Sequence, residues 1–243
     1  MTAAVDLSIV IPVYDEVANL RPLWLELDPE LREIGLTAEV IFVDDGSTDG
    51  GTAIIRELVA TDKRLRLIRF AANAGLTAAF YAGLRAARGE IVVTMDADLQ
   101  NDPHDIAALL RHLEGFDAAV GWRRHRDDPW LKRVSSIVAN AVRNVVSGDR
   151  VHDSACSLRA MRRECLEALL PFQGMHRFLP TLLRISGYRV VEVAVGHRPR
   201  RFGRSKFTVR NRALRAFEDL LAVCWMMRRR IRYRVIEEID GGR

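Results

Sequence analysis

The chain has almost no lysine. Of 37 Lys and Arg residues among 243, only Lys63, Lys132 and Lys206 are lysine, so a lysine inside a motif stands out. Cysteine is scarce as well. Cys156, Cys165 and Cys224 show no metal-ligand spacing and one must stay unpaired, which excludes a disulfide scaffold and points to free thiols in a reducing compartment. Long apolar runs are missing: the longest candidate, Leu220 to Met227, is eight residues, against the ~20 that a bilayer span requires. Met1 to Asp6 carries no basic segment and Leu7 to Val13 is only strand-sized, so no secretory leader is expected. Neither a Gly/Ser/Pro-rich linker nor an internal repeat divides the chain. These absences lead us to expect a cytoplasmic protein, or one peripheral at the cytosolic face of a membrane.

What is present suits one large α/β domain: 243 residues, 49% of them apolar, can bury a substantial core. The formal charge of +5 hides an asymmetry. Residues 1–121 hold 10 basic and 20 acidic side chains, net −10, whereas residues 122–243 hold 27 and 12, net +15. Such a division suggests a cation held on one side and an anionic partner on the other.

The first half alternates strand and helix. Leu7–Val13 reads as a buried parallel strand, and 17–34 as a helix with Leu20, Leu23, Leu27 and Leu31 on one stripe. Strand 39–43, helix 50–61, strand 65–70, helix 75–87 and strand 90–95 follow. This rhythm implies a parallel sheet with helices on both faces, whose ligands sit outside the carboxyl ends of the strands. The second half is less regular. Helices are expected at 103–113, 130–146, 165–170 and 210–228, strands at 118–121 and 188–195, and a basic loop at 197–206.

Acidic clusters fall where a ligand would. Asp96-Ala97-Asp98 closes the strand that ends at Met95, so two carboxylates can seat a hard cation that keeps open positions for phosphate oxygens. A solvated acidic turn is the plainer alternative. Asp44-Asp45-Gly46-Ser47 closes an earlier strand and faces the same crevice; a carboxylate there can bond a ribose or base edge, and Gly46 permits close backbone approach. The same segment can also cap a helix through Ser47 or Thr48.

Val10-Ile-Pro-Val-Tyr-Asp-Glu16, Val43-Asp-Asp-Gly-Ser-Thr-Asp49, Asn73-Ala-Gly75, Met95-Asp-Ala-Asp-Leu-Gln100 and Pro103 occur in an order that resembles family 2 glycosyltransferases of the GT-A fold. Asp-Ala-Asp-Leu-Gln, with Asp153 to Arg159 and His197-Arg-Pro-Arg-Arg-Phe-Gly-Arg-Ser-Lys206, resembles the branch that includes dolichyl-phosphate mannose synthases. The resemblance implies a Rossmann-like, mostly parallel sheet flanked by helices. It divides the chain into a GT-A domain, 1–207, and a basic amphipathic helical segment, 208–243. Within the domain, 1–121 takes the nucleotide-sugar and metal, and 122–207 the acceptor.

By that resemblance Pro12, Tyr14 and Glu16 line the nucleoside pocket and Asp44 holds the base or ribose. Asp96, Asp98 and Gln100 bind Mg²⁺ or Mn²⁺ and the donor diphosphate, and Arg123 reaches a phosphate. Ser157, Arg159, Arg200, Ser205 and Lys206 meet the phosphate of a polyprenyl acceptor, with Asp98, Arg123 and Lys206 closest to the chemistry. The implied reaction is inverting transfer of a hexose from GDP-mannose or a UDP-sugar to polyprenyl or dolichyl phosphate. A family 2 enzyme acting on a glycan hydroxyl is the alternative; it would need a carboxylate base, and the basic loop fits a phosphate better. Asp153 is expected to orient Arg159 rather than act as a base.

Residues 197–234 carry 13 basic and 2 acidic side chains. Leu214, Phe217, Leu221 and Trp225 share a helical stripe, with Leu220, Val223 and Met227 beside it. Such a helix can lie on a membrane surface or dock a separate membrane-anchoring protein; packing of the stripe on the core is the alternative. A nucleic-acid partner is not expected, because the basic segment has few aromatics and the chain keeps an acidic crevice.

Overall fold

The computed structural model describes residues 4–123, 152–202, 209–229 and 237. In chain order these form β1 (Leu7–Val13), α1 (Val17–Ile34), β2 (Ala38–Asp44), α2 (Gly51–Thr61), β3 (Leu65–Arg69), α3 (Leu76–Ala86), β4 (Ile91–Thr94), α4 (Asp105–His112), β5 (Ala118–Arg123), β6 (Arg159–Arg162), α5 (Leu179–Ile185), β7 (Val190–Val195) and α6 (Val209–Arg228). Seven strands make one sheet in the order β3-β2-β1-β4-β6-β5-β7. β1 to β4 are mutually parallel, β6 runs antiparallel to both β4 and β5, and β7 is parallel to β5.

The sheet is covered on both faces, which is why β1 and β2 are buried at every position. Alternating side chains divide between two cores. Leu7, Ile9, Ile11 and Val13 meet the helices α1, α2 and α4, while Val10 and Ile41 meet α3 and α5. Ser8 also faces this second core, where Oγ donates to Glu39 Oε1 at 2.7 Å and accepts the Gly89 N–H.

First-half elements match the expected ones to within a residue at each end. The second half differs more. β6, Arg-Ala-Met-Arg, is too short and too little patterned to signal a strand, and neighbours place it rather than propensity. The helix expected at 165–170 is a 3₁₀ turn over Arg163–Ala168. The helix expected at 130–146 lies outside the described residues.

α6 has two unlike faces. Leu220, Val223 and Cys224 are buried against the α3–α5 side of the sheet, whereas Leu221 and Trp225 are 51% and 63% exposed. At 221 and 225, then, the expected stripe points outward and its neighbours supply the packing. No helix among the described residues is long and apolar enough to cross a membrane.

Candidate active site

A cavity of about 280 Å³ opens at the carboxyl ends of β1, β2 and β4. It lies where the chain turns from β1 toward β2 on one side and β4 on the other, the switch point at which open α/β sheets bind ligands. Pro12, Tyr14 and Glu16, expected at a nucleoside, all line it, as do Asp96, Asp98 and Arg200. Acidic turns and a basic-loop arginine, over 100 residues apart in sequence, thus share one space.

Asp44 does not line it. Its carboxylate is fully buried beneath the turn, where it accepts the Ser47 N–H at 2.8 Å and the Thr52 hydroxyl, with Arg69 Nε 3.7 Å away. Asp44 was expected at the base or ribose, but it is Asp45, the next residue, that lines the cavity. At a strand end successive side chains point to opposite sides, so a shift of one residue changes wall for foundation. Asp45 accepts Asn73 Nδ2 at 2.9 Å, the Ala74 N–H at 2.7 Å and the Gly75 N–H at 2.9 Å, holding residues 73–75 as a second wall. Gly46 (φ +73°) makes this close: a Cβ there would sit 2.6 Å from the Ala72 carbonyl carbon. What approaches Gly46 is therefore the chain's own loop. Nor do Ser47 and Thr48 cap α2. They bind Asp15, and Asp49 accepts the Gly51 N–H at 2.8 Å.

Asp15 (φ 48°) and Leu99 (φ 62°) are the non-glycine residues with left-handed backbone among those described, and both flank the cavity. Left-handed φ costs an ordinary side chain of order 1–3 kcal/mol and persists where surroundings impose it. Leu99 is anchored in the core, so the chain reverses immediately after Asp98. Asp96 accepts Ser157 Oγ at 2.7 Å, and its N–H donates to Asn101 Oδ1 at 2.9 Å. Burial, then the charge of Asp98, push its carboxyl up to about 6, against opposing help from Ser157, Arg123 and Arg159.

Gln100 departs from its expected role as a ligand. Its amide donates to the Arg198 carbonyl at 3.3 Å, the Arg198 N–H returns a bond to the Gln100 carbonyl at 3.0 Å, and the side chain does not line the cavity. Gln100 thereby ties the basic loop to the acidic turn.

The expected acceptor residues separate. Arg200 reaches the cavity: Nη2 lies 2.6 Å from Asp98 Oδ2 and Nη1 3.6 Å from Glu16 Oε1. Ser157 and Arg159 are corrected, being buried behind the wall. Ser157 supports Asp96, and Arg159 Nη2 donates to the Ser154 carbonyl at 3.0 Å. Arg123 also lies off the lining, gripped by Asp153 through Nε at 2.7 Å and Nη2 at 2.9 Å. Asp153 thus orients Arg123, not Arg159. Ser205 and Lys206 lie outside the described residues. Asn101, which joins Asp96 and Ser157, was not anticipated; its place three residues after Asp98 in an acidic turn was the available signal. All three cysteines are buried, and burial pushes the Cys156 thiol up to about 11 and Cys165 to about 12, so neither is a nucleophile at neutral pH.

The donor set suits a hard cation that arrives with phosphate. No cluster of three or more His, Cys, Asp or Glu capable of holding a metal occurs among the described residues. Asp96 and Asp98 supply two carboxylates, one raised by burial and by its neighbour's charge, with a guanidinium already answering the other. Mg²⁺-type sites are commonly built this way, from one or two carboxylates completed by substrate phosphates and water.

The architecture is that of a GT-A glycosyltransferase. Over 92% of this chain it matches 78% of glucosyl-3-phosphoglycerate synthase from Mycobacterium tuberculosis, a structure in complex with Mn²⁺, UDP and phosphoglyceric acid, with a TM-score of 0.68 at 23% identity. A complex of the same synthase with Mg²⁺ and UDP matches equally, with a TM-score of 0.68. The chain belongs to glycosyl transferase family 2, whose model matches residues 8–170. Among its relatives is the dodecaprenyl-phosphate galacturonate synthase of Rhizobium johnstonii, 36% identical over 235 residues, covering 94% of this chain and 69% of that protein. The undecaprenyl-phosphate 4-deoxy-4-formamido-L-arabinose transferase of Aeromonas hydrophila is 37% identical over 202 residues, covering 82% and 62%. These relatives are polyprenyl-phosphate sugar transferases, and the chain spans between 62 and 69% of their length.

Proposed function

We propose that this protein transfers a sugar from a nucleotide-sugar to a polyprenyl phosphate, with inversion at the anomeric carbon. The observation that carries this reading is the meeting of Asp96 and Asp98 with Arg200 in one cavity at the sheet's switch point. The relatives' polyprenyl-phosphate sugar chemistry supports it independently.

In this reading Pro12, Tyr14 and the Asp45-held loop receive the nucleoside, and Asp96 and Asp98 hold Mg²⁺ or Mn²⁺ against its diphosphate. A cation there would offset charge on the departing nucleoside diphosphate. Glu16 and Asp98 keep Arg200 at the boundary between donor and acceptor. A lipid phosphate, with a second pKa near ~6, is already largely a dianion at pH 7, so the protein need not supply a base. It must align the nucleophile, a task this reading gives to Arg200 and to Ser205 and Lys206, five and six residues further along the sequence. Asp153 fits that division: locked onto Arg123, it stabilises the wall rather than abstracting a proton.

The outward Leu221 and Trp225 of α6, with the arginine-rich sequence 228–234 that follows, support a location at the cytosolic membrane face, reached directly or through a membrane-anchoring protein. Relatives named for galacturonate and formamido-arabinose add acidic and amino sugars to GDP-mannose and UDP-glucose as donors. A screen of these donors with a short polyprenyl phosphate and Mg²⁺ or Mn²⁺ tests the reading. Release of nucleoside diphosphate that needs both lipid and metal is expected; release onto a glycan without lipid would overturn it.

A further inference from the structure

A path of hydrogen bonds and close contacts runs from α6 to the cavity wall, and the chemistry described so far does not use it. On α6, Asp219 Oδ2 accepts Arg177 Nη2 at 2.7 Å, both side chains being mostly buried. Arg177 Nε, also buried, meets no acceptor among the described residues, and Asp219 compensates this charge through Nη2. Their carboxylate and guanidinium press on Gly174 (φ +96°), where a Cβ would lie 2.3 Å from Asp219 Oδ2 and 2.6 Å from Arg177 Nη2. Only glycine fits there, and its N–H is thereby aimed at Thr77 Oγ1, 2.9 Å away. Thr77 Oγ1 also pairs with His176 Nδ1 at 2.8 Å. Next to Gly174, Gln173 Nε2 donates to the Ala74 carbonyl at 3.3 Å. The N–H groups of Ala74 and Gly75 complete the path on the Asp45 carboxylate, and Asp45, Asn73 and Gly75 line the cavity.

We propose that Arg177, Asp219 and Thr77 are positioning residues for the nucleotide end of the cavity, transmitting the seat of α6 to the 73–75 wall. The inference rests on reading this cavity as the donor site. None of the three lines the cavity, so they act through Gly174, Gln173 and the loop. Packing supports a shared seat: Met175 and Phe178, beside this path, lie in one buried cluster with Leu220, Val223 and Cys224 of α6. Because α6 also carries the exposed Leu221 and Trp225, whatever engages that outer face shares a helix with the donor-pocket clamp.

The test uses the full chain and calorimetric titration of UDP and of GDP with Mn²⁺. Thr77→Val removes the hydroxyl at nearly constant volume, Thr77→Ser keeps it, and Asp219→Asn removes the ion pair. Thr77→Val and Asp219→Asn are expected to weaken nucleotide binding by roughly fivefold, at the lower end of coupling between sites, while KM for polyprenyl phosphate stays unchanged and Thr77→Ser binds as wild type. Nucleotide binding unchanged in Thr77→Val overturns the proposal, and that variant decides if Asp219→Asn does not fold. If the wild type binds neither nucleotide, the donor-site reading falls by itself. Amide exchange at Ala74 and Gly75 then decides the relay: faster exchange in Thr77→Val sustains it, unchanged exchange ends it.

Discussion

The two acidic turns of this protein look alike in sequence and are built in opposite ways. After β2, Asp44 and Asp45 are answered by the chain itself: Ser47, Thr52 and Arg69 converge on the first, and Asn73, Ala74 and Gly75 on the second. After β4, Asp96 receives Ser157 and Asp98 receives the Gln100 N–H and Arg200, which comes from a segment about 100 residues away. A carboxylate saturated by neighbouring N–H groups organises backbone. A buried carboxylate that resists ionisation beside a second carboxylate forms a place where positive charge is wanted.

The sharpest way to break this contrast is Asp98→Ala. Loss of a charge-stabilising group at the reacting centre should lower kcat on the order of 10²–10³-fold, and Mn²⁺ titration followed by electron paramagnetic resonance should show weakened binding. Wild-type Mn²⁺ affinity would make the β4 turn no different from the β2 turn. Asp45→Ala comes next. It strands N–H donors worth about 1–3 kcal/mol, so KM for the donor should rise roughly tenfold with a smaller change in kcat; an effect on acceptor KM instead would misplace the 73–75 wall.

The smallest effect concerns pH. A carboxyl at about 6 in the fold, against 3.8 for its ordinary value, holds its proton more tightly folded than unfolded. Its charge therefore opposes folding above pH 6, and the penalty fades as pH falls toward 4. In EDTA, Asp96→Asn should melt higher than wild type at pH 7.5, with the gap narrowing by pH 5. A gap independent of pH would show that a raised carboxyl is not what distinguishes Asp96.

How much of this was legible depended on where the signal lay. β1 to β4 are long or regularly spaced runs between turn residues, and a pattern of that kind survives any tertiary context. The positions of Asp96, Asp98, Glu16 and Arg200 followed from strand ends and motif order. That Asp45 and not Asp44 lines the cavity is not legible in the sequence, because adjacent residues in a turn differ in direction and no sequence pattern reports direction there. Gln100, Ser157 and Arg159 matched a phosphate-binding motif by type, yet their hydrogen bonds go to Arg198, Asp96 and Ser154. Type sets what a side chain can bond; contacts between segments 60 or 100 residues apart decide what it does bond. The same reason hid the Asp219–Arg177–Thr77 path, each of whose members is ordinary alone.

β6 shows what reversing one strand achieves. Strands running with the sheet deliver only their exits to the ligand-binding rim; a strand running against it delivers its entrance. Thr94, at the exit of β4, sits opposite Arg159, at the entrance of β6, and Thr94 Oγ1 donates to the Ser157 carbonyl at 2.6 Å. Residues 153–158 therefore enter the sheet beside the strand that leads into Asp96 and Asp98. Turned the other way, the same four residues, at about 3.3 Å each, would move Asp153 to Leu158 roughly 13 Å to the opposite margin, and Asp96 would lose the backing of Ser157.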